Sequence, residues 1–530
     1  MSTPLIDIQS QISMARLTVE DIERLRAASA PVPSGIAPVT SSEFFKSPRS
    51  KSKPKSQPLD HHLSFESRGF GGSQLKKLSA LDGSRKIIRL GVGRPNAELY
   101  PWNSAVFGLS PSAHAIETAG AKHVARQQHS YDVATALNYG NAIGSPHLVR
   151  FLTEHMEIVH DPPYSDWNVC LTCGSTSSME IALRIFCNVG ETVLSEEYTY
   201  PGFPEVAAVV GVRVQGVTMD SDGLRSDTLD EILSTWDSSE GPKPRLLYII
   251  PSGQNPTGCT LSSERRMAIY EVAERHDLVI VEDDPYFFLN LEPFIEEAQT
   301  NHTTGNGDVG GPIDYLSSLM PSFLSIDHSG RVVRLDSASK ILSPGLRAGW
   351  VTASSQIIDK FVAYNETDAI TASGPSQLML CGLFEHSWGH RGFLAWLADL
   401  SIIYRRRRDI VQCAFEKYLP PELCHWISPR CGMFLWLRLD LDKHPSFRSQ
   451  DSQPGGIRAA QASDIEARIS TNTLENGVQI TKGSLFAVGG KPRSEAYLRL
   501  TYAAAAESEL EEGVRVVADS IKKEFGLVRI

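Results

Sequence analysis

Short apolar runs alternate with amphipathic stretches along the middle of the chain. The runs predict strands, and the stretches, whose apolar residues recur at helical spacing, predict helices. The predicted strands are 168–172, 191–195, 245–250, 278–283, 331–337 and 348–353, and the predicted helices are 145–159, 177–190, which Gly190 closes, and 262–276. Strands that alternate with helices indicate a mainly parallel α/β sheet, which binds its ligands at the carboxyl ends of its strands.

The pattern changes after about residue 390. A long helix is predicted at 392–419, strands at 433–439 and 497–502, and a helix at 461–475 between those strands. This mixture of helices and separated strands predicts a smaller α+β domain after the large one.

The N-terminal stretch differs in composition from the rest. After a short predicted helix at 17–28, residues 29–58 are rich in Ser, Pro and Lys. Such a composition predicts a partly disordered, solvated extension. The predicted organisation is an N-terminal extension at 1–58, an arm with part of the small domain at 59–120, a large domain at 121–390 and a C-terminal small domain at 391–530.

The composition narrows the classes of protein that fit. A net charge of −11 argues against a general nucleic-acid binder. No apolar run reaches the length of a membrane-spanning helix. The chain has 8 cysteines in 530 residues, too few for a disulfide framework, and Cys170 and Cys173 have no second pair at zinc-binding spacing. We therefore expect a cytoplasmic protein with reduced thiols, no metal site, and no nucleic-acid or membrane partner.

Chemically distinctive residues follow five predicted strands. The segments are CGSTSS (173–178), EEYTYPGF (196–203), PSGQNPTG (251–258), VEDDPYFF (281–288) and SASKILSPGLRAGW (337–350). They offer, in turn, backbone N–H groups for an anion, an aromatic face, an amide, two carboxylates and a lone lysine. Each has a plain structural interpretation when taken alone, such as an N-cap, packing, a turn or a surface lysine. Together they describe a site for pyridoxal 5′-phosphate, a planar, phosphorylated heterocycle with a basic nitrogen and an aldehyde.

The order of these motifs resembles a known family. GSTSS, YTYPG, NPTG, EDDPY, SxSK-x6-R and YLR occur in the order typical of fold-type I pyridoxal-phosphate aminotransferases of class I/II. The segments PLDHHLSFESRGF (58–70) and IRLGVGRPNAELYPW (88–102) are similar to the opening of fungal aromatic amino-acid aminotransferases. The kynurenine/2-aminoadipate aminotransferases share the core motifs. The resemblance implies a mainly parallel seven-stranded sheet flanked by helices, with a smaller α+β domain.

The resemblance also implies a role for each matching residue. Those expected to hold the cofactor are Ser175, Thr176, Ser337 and Arg347 at its phosphate, Tyr200 on its ring, Asn255 and Tyr286 at the ring oxygen, Asp283 at the ring nitrogen, Lys340 as the point of attachment, and Tyr139 at the phosphate of a partner subunit. The implied catalytic residues are Lys340, Asp283 and Tyr200, and the implied substrate-binding residues are Arg499, Gly93 and Asn255. Asp283 is preferred to Asp284 because the family spacing places the aspartate three residues before the tyrosine.

The activity implied by the resemblance is ping-pong transamination of an aromatic L-amino acid with 2-oxoglutarate or another 2-oxo acid, in a homodimer with shared active sites. A 2-aminoadipate or kynurenine donor is an alternative, because Arg94 adds a cation beside the expected substrate pocket. A lyase or decarboxylase that uses the same cofactor is another alternative. An aminotransferase-like transcription regulator is a third, but it needs a compact N-terminal DNA-binding domain, and residues 29–58 show no such pattern.

Overall fold

The computed structural model describes residues 16–73, 96–102, 104–108, 122–125, 131–294, 312–447, 455–490 and 495–527. Gly93, which was predicted to bind substrate, and Arg94 lie outside the described residues. Among the helices that the structure describes, none is long and apolar enough to cross a membrane.

The largest sheet of the described structure lies in the first part of the chain. In chain order the strands of this part are β1 (Ser104–Phe107), β2 (Lys122–Ala125), β3 (Trp167–Thr172), β4 (Thr192–Glu196), β5 (Arg213–Val217), β6 (Met219–Asp220), β7 (Gly223–Leu224), β8 (Leu246–Ile249), β9 (Val279–Asp283), β10 (Val332–Ser337) and β11 (Gly349–Ser354). The central sheet has seven strands in the order β3-β11-β10-β9-β8-β4-β5, while β1 pairs with β2 and β6 with β7. β11 is antiparallel to both of its neighbours, and every other pair in the sheet is parallel. The predicted mainly parallel, seven-stranded sheet is confirmed, and six of its strands end at the same edge.

Six of the seven strands of this sheet are buried along their length, which explains the pattern in the sequence, whereas β5 is partly exposed and was not predicted. Every residue of β3, β4, β8, β9, β10 and β11 is buried. Strands covered on both faces read as continuous apolar runs rather than as alternating apolar and polar residues. The main helices of this part of the chain are Pro146–Val159, Ser175–Phe186, Gly202–Val210, Ser226–Ser234, Ser263–His276, Pro312–Ser318, Ser355–Thr367 and Gly374–Leu383.

The helix that follows β3 differs from its prediction at both ends. It was predicted at 177–190, but it begins at Ser175 and ends at Phe186. It begins earlier because Gly174, at a φ of 93°, turns the chain directly into the first helical turn. Gly190 does not close the helix, because it lies in the turn where the Glu191 amide donates to the Asn188 carbonyl.

The smaller sheet follows the longest helix of the described chain, Gly389–Tyr418. Its strands are β12 (Cys424–His425), β13 (Phe434–Leu439), β14 (Thr481–Lys482) and β15 (Ala496–Thr501), in the order β12-β13-β15-β14 with antiparallel neighbours. The helices Gly455–Glu475 and Leu510–Glu524 complete this region. In register, Arg499 of β15 lies opposite Trp436 of β13 and Thr481 of β14. The predicted smaller α+β unit is confirmed, and the exact domain boundaries stay a prediction.

The N-terminal extension packs against the large domain, so the prediction of a solvated tether is wrong for its described part. The Lys46 side chain is buried, and its ammonium donates to the Ser165 carbonyl at 2.5 Å. The Ser47 hydroxyl donates to Glu157 at 3.1 Å, and Arg49 pairs with Asp161 at 2.7 Å. The local composition could not show this, because the acidic partners lie more than 100 residues further along the chain.

The same extension covers an open edge of the central sheet. β3 is the first strand in the sheet order, so one of its edges has no neighbouring strand. There the Ser42 hydroxyl accepts the Val169 amide at 3.1 Å, and the Trp167 indole donates to the Ser50 hydroxyl at 3.1 Å. Exposed strand edges pair with other chains, and covering them prevents aggregation.

Candidate active site

Five strand ends bring the predicted site residues to one edge of the central sheet. Gly174 and Ser175 follow β3, Tyr200 follows β4, and Asn255 follows β8. Asp283 ends β9, and the loop after β10 carries Lys340 and Arg347. Because these strands run in the same direction, their following segments meet at a single cleft.

Lys340 lies at the centre of the charged groups of this cleft. Its side chain is half-buried. Burial lowers the pKa of Lys340, and the Arg499 and Arg347 guanidiniums lower it further, while the Asp283 carboxylate acts in the opposite direction. A lysine in such surroundings is more often a neutral amine, and therefore a nucleophile and a base, than a solvated lysine is.

The end of β3 and the loop after β10 form a cradle for an anion. Arg347 has a left-handed φ of 45°, and its guanidinium donates to the Cys173 carbonyl at 3.2 Å and to the Ser339 hydroxyl at 3.4 Å. A Cβ atom at Gly174 would lie 2.7 Å from Nη2 of Arg347, so only glycine lets the guanidinium approach the helix start. The Ser175 hydroxyl lies at the helix start and also interacts with the Asp283 carboxylate, whose pKa burial raises and this interaction lowers. A guanidinium, hydroxyls and helix N–H groups together suit a phosphate.

Asp283 is a buried carboxylate without a cationic partner in the described structure. It is 4% exposed, and the Tyr248 hydroxyl donates to its Oδ2 at 2.6 Å. Its Oδ1 has no hydrogen-bond partner among the described residues. Burial raises the pKa of Asp283 to about 6. A positively charged ring nitrogen would supply both the missing partner and the missing charge.

Asp284 has different surroundings. Its Oδ2 accepts from the Ser252 hydroxyl at 3.1 Å and from the Arg334 guanidinium at 3.4 Å. Burial also raises the pKa of Asp284, but Arg334 and then Arg266 oppose that rise. The Oδ1 of Asp284, like that of Asp283, has no hydrogen-bond partner among the described residues. The two carboxylates differ in that Asp284 forms an ion pair with Arg334 at 3.4 Å, whereas Asp283 has no cation at that distance in the described structure.

Arg499 extends from the smaller sheet towards the same cleft. Its Nη1 donates to the Asn255 Oδ1 at 2.9 Å, and its Nη2 donates to the Thr481 hydroxyl at 3.3 Å. Within the described part of the chain, no carboxylate forms an ion pair with Arg499, and its buried Nε has no partner. Tyr286 is 4% exposed, and burial raises its pKa, against which the Arg499 charge acts.

The remaining predicted site residues in the described structure are Tyr200, Ser337, Thr176 and Tyr139. Tyr200 is partly buried, and a Cβ at Gly202 would lie 2.5 Å from its ring. The Ser337 hydroxyl donates to the Ser339 hydroxyl at 3.0 Å beside the anion cradle, and Thr176 is exposed on the first helical turn. Tyr139 is 55% exposed, and no hydrogen bond or ring contact joins its side chain to the other site residues that the structure describes.

The sequence analysis missed four residues that contact the site. Tyr248 bonds Asp283, Thr481 bonds Arg499, and the rings of Phe434 and Phe486 each lie 4.7 Å from the Arg499 Cζ. For Tyr248 the only signal was a hydroxyl in the apolar strand RLLYII. The other three carried no local signal, because their contacts depend on the register of the smaller sheet.

Comparison with known proteins agrees with this geometry. Residues 113–517 match the family model described as aminotransferase class I and II. The chain belongs to the class I and II aminotransferases.

Two relatives and one solved structure show how far this aminotransferase resembles others. The aminotransferase swnA of Metarhizium robertsii is 43% identical over 89% of this chain and 93% of its own. An aromatic amino acid aminotransferase of Schizosaccharomyces pombe is 35% identical over 88% of this chain and 98% of its own. The crystal structure of aminotransferase Aro8 from Candida albicans has a TM-score of 0.82 and 33% identity, covering 89% of this chain and 100% of that one.

The cofactor of this family is pyridoxal 5′-phosphate, and the cleft fits it. The anion cradle at Gly174 and Arg347 suits its phosphate. The unpartnered Oδ1 of Asp283 suits its ring nitrogen, and the lowered pKa of Lys340 suits attachment to its aldehyde. No feature of the described cleft conflicts with this cofactor.

Proposed function

We propose that this protein transfers the amino group of an aromatic L-amino acid to 2-oxoglutarate or another 2-oxo acid by a ping-pong mechanism. The observation that carries the proposal is the position of Lys340. The Lys340 side chain is half-buried. Burial and the positive charges of Arg499 and Arg347 lower its pKa, and the Asp283 carboxylate opposes this effect. A lysine so placed suits proton transfer at a substrate that is bound through its own carboxylate.

Each residue of the site has its own proposed role in the reaction. Ser175, Thr176, Ser337 and Arg347 would hold the phosphate of the cofactor, Tyr200 would cover one face of its ring, and Asn255 and Tyr286 would bind its ring oxygen. Asp283 would hold the proton on the ring nitrogen. The bound cofactor supplies an electron sink for the substrate's α-carbon. Lys340 would attach the cofactor and then, once displaced by the amino acid, take the proton from the α-carbon.

Arg499 would bind the α-carboxylate of both substrates. Its guanidinium is fixed by Asn255 and Thr481 but has no protein carboxylate in the described structure. A fork of two N–H donors matches a carboxylate in geometry and charge. Since amino acid and oxo acid share this carboxylate, one arginine serves both halves of the cycle.

The aromatic donor is proposed from the relatives of this chain. Several relatives that cover most of this chain are named aromatic amino acid aminotransferases or L-tyrosine:2-oxoglutarate aminotransferases.

The substrate is tested by competition. With 2-oxoglutarate fixed, kcat/KM for phenylalanine or tyrosine should exceed that for 2-aminoadipate and for kynurenine by at least roughly tenfold, which is about 1.4 kcal/mol of transition-state preference. Initial rates of glutamate formation measure it. A preference for 2-aminoadipate or kynurenine would move the protein to that alternative. Carbon dioxide or ammonia release without an oxo-acid product would indicate a lyase or decarboxylase instead.

The attachment residue is tested by labelling. Borohydride should fix the cofactor to the peptide that contains Lys340, and Lys340→Ala should lower turnover at least about a thousandfold because the attacking amine is lost. Lys417→Ala is the matched control, since Lys417 is 61% exposed beside Glu511. Label on another lysine, or a Lys340→Ala variant with normal turnover, would remove Lys340 from its proposed role.

We further propose a homodimer with shared active sites, in which the exposed Tyr139 reaches the phosphate of the partner subunit. The 55% exposure of this aromatic side chain supports the idea. A reducing compartment such as the cytoplasm is proposed because all eight cysteines are free thiols.

A further inference from the structure

The half-buried guanidinium of Arg499 has no carboxylate partner in the described structure. It donates two hydrogen bonds, from Nη1 to Asn255 and from Nη2 to Thr481. Its buried Nε has no partner in the described structure, and burial lowers the pKa of Arg499. A charge that is partly removed from water needs compensation from the groups around it.

Two phenylalanine rings supply such compensation. The ring centroids of Phe434 and Phe486 each lie 4.7 Å from the Arg499 Cζ, within the range of a cation–π contact. An aromatic face attracts the guanidinium without neutralising its formal charge. A carboxylate in the same place would compete with the substrate's carboxylate, whereas a ring leaves the N–H groups free to bind it.

Each ring is buried and contacts a second aromatic ring. Phe434, in β13, is 6% exposed and makes an edge contact with the Tyr286 ring at 5.5 Å. Phe486 is 3% exposed and makes an edge contact with the Trp436 ring at 5.9 Å. The Phe486 carbonyl also accepts the Thr199 amide at 3.0 Å, which joins it to the segment that leads into the proposed ring-stacking tyrosine. Packing of this kind restricts the orientation of both rings.

We propose that Phe434 and Phe486 are positioning residues, which orient the Arg499 guanidinium for the α-carboxylate of every substrate. They act on the substrate through Arg499. This inference rests on the proposed transamination, because it assigns the support of that reaction's carboxylate clamp.

The competing interpretation is that the rings line the pocket for an aromatic side chain. The two ideas predict different substrate patterns. If the rings orient Arg499, their loss weakens phenylalanine and 2-oxoglutarate equally, since both carry an α-carboxylate and only one carries a ring. If the rings contact the substrate side chain, phenylalanine alone is weakened.

The experiment uses the full-length, cofactor-loaded enzyme with Phe434→Leu and Phe486→Leu. The KM values for phenylalanine and for 2-oxoglutarate should rise together, roughly fivefold to thirtyfold for each ring removed. We expect kcat to change less than about threefold, because the reacting groups stay in place. The visible spectrum of the bound cofactor should not change.

Two further variants guard against a merely structural effect. Phe486→Tyr keeps the aromatic face and should restore near-normal KM values, and Phe486→Met fills a similar volume without that face if a leucine variant is unstable. Phe65→Leu removes a ring that lies 5.8 Å from the Arg68 Cζ outside the cleft, and it should leave both KM values unchanged.

Unchanged KM values in both leucine variants, or a rise confined to phenylalanine, would overturn the inference. The proposed function has its own test in the unmodified protein. If that protein forms no glutamate from any donor, the proposed function fails and this inference falls with it.

Discussion

At the scale of single residues, two charged groups of the cleft have incomplete hydrogen bonding. One oxygen of Asp283 and the Nε of Arg499 have no hydrogen-bond partner in the described structure. Native proteins bond nearly all of their buried polar atoms. We therefore expect the ligands of this cleft to supply the missing partners of Asp283 and Arg499.

The pair of adjacent aspartates gives a sharp prediction. Asp283→Asn should lower kcat/KM at least about a hundredfold, because a neutral amide no longer balances a protonated ring nitrogen in a buried site. Asp284→Asn should affect stability more than chemistry, since Asp284 faces Arg334 and Arg266. Rates per bound cofactor compare the two variants. The opposite order of severity would assign the ring nitrogen to Asp284.

At the scale of elements, the half-buried Arg26 joins the N-terminal helix Val19–Ala28 to the large domain. The Arg26 guanidinium bonds both oxygens of Glu154, at 2.9 and 2.7 Å, and Glu385 at 2.9 Å. Both glutamate side chains are 5% exposed. Arg150 also pairs with Glu385 at 2.9 Å, and His390 contacts Glu154 at 2.9 Å. Removing Arg26 therefore takes away part of the compensation of two buried carboxylates, which should cost on the order of 2 kcal/mol.

Arg26→Met should therefore lower the thermal unfolding midpoint clearly. Arg391→Met is the matched control, because Arg391 also contacts the N-terminal helix, through Glu20 at 2.7 Å, but both side chains are at least half exposed. An exposed pair contributes little to stability, so its loss should shift the midpoint only slightly. Differential scanning calorimetry at one scan rate compares them. Equal shifts would mean that Arg26 does not anchor the helix.

Elements were predicted well where neighbouring residues in the sequence indicate them, and they were missed where they depend on residues far along the chain. Six of the seven strands of the central sheet were predicted within one or two residues, because buried strands leave continuous apolar runs. The strand β5, at the other end of the sheet order, was missed because it is only partly buried and has no such run. The end of the helix at Phe186 was missed, because Gly190 is a plausible helix end from its residue type alone. The docking of Ser47 and Arg49 was missed because Glu157 and Asp161 lie far along the chain.

The site residues also divide into those that the local sequence indicates and those that it does not. Lys340, Asp283 and Asn255 stand directly after strands, so the sheet topology and the family motifs together point to them. Tyr248, Thr481 and Phe434 reach the site through strand register and the packing of the smaller sheet on the larger one. No single segment of sequence encodes that packing.

At the scale of the whole molecule, the proposed homodimer makes the active site a property of two chains. Lys340→Ala protein and Tyr139→Phe protein should each be impaired. In heterodimers formed by subunit exchange, one of the two sites would contain both native residues, so part of the activity should return. Mass spectrometry verifies the heterodimer and a glutamate assay measures the recovery. Absence of recovery in verified heterodimers would place Tyr139 outside the partner's site.

The covered edge of β3 has a consequence for how this protein relates to its family. The family-wide similarity spans residues 113–517, yet the hydroxyl that accepts the Val169 amide belongs to Ser42, outside that span. A segment that the family model does not include thus completes the sheet that the family shares. The sheet is therefore complete only in a folded unit that is longer than the part that the family model describes.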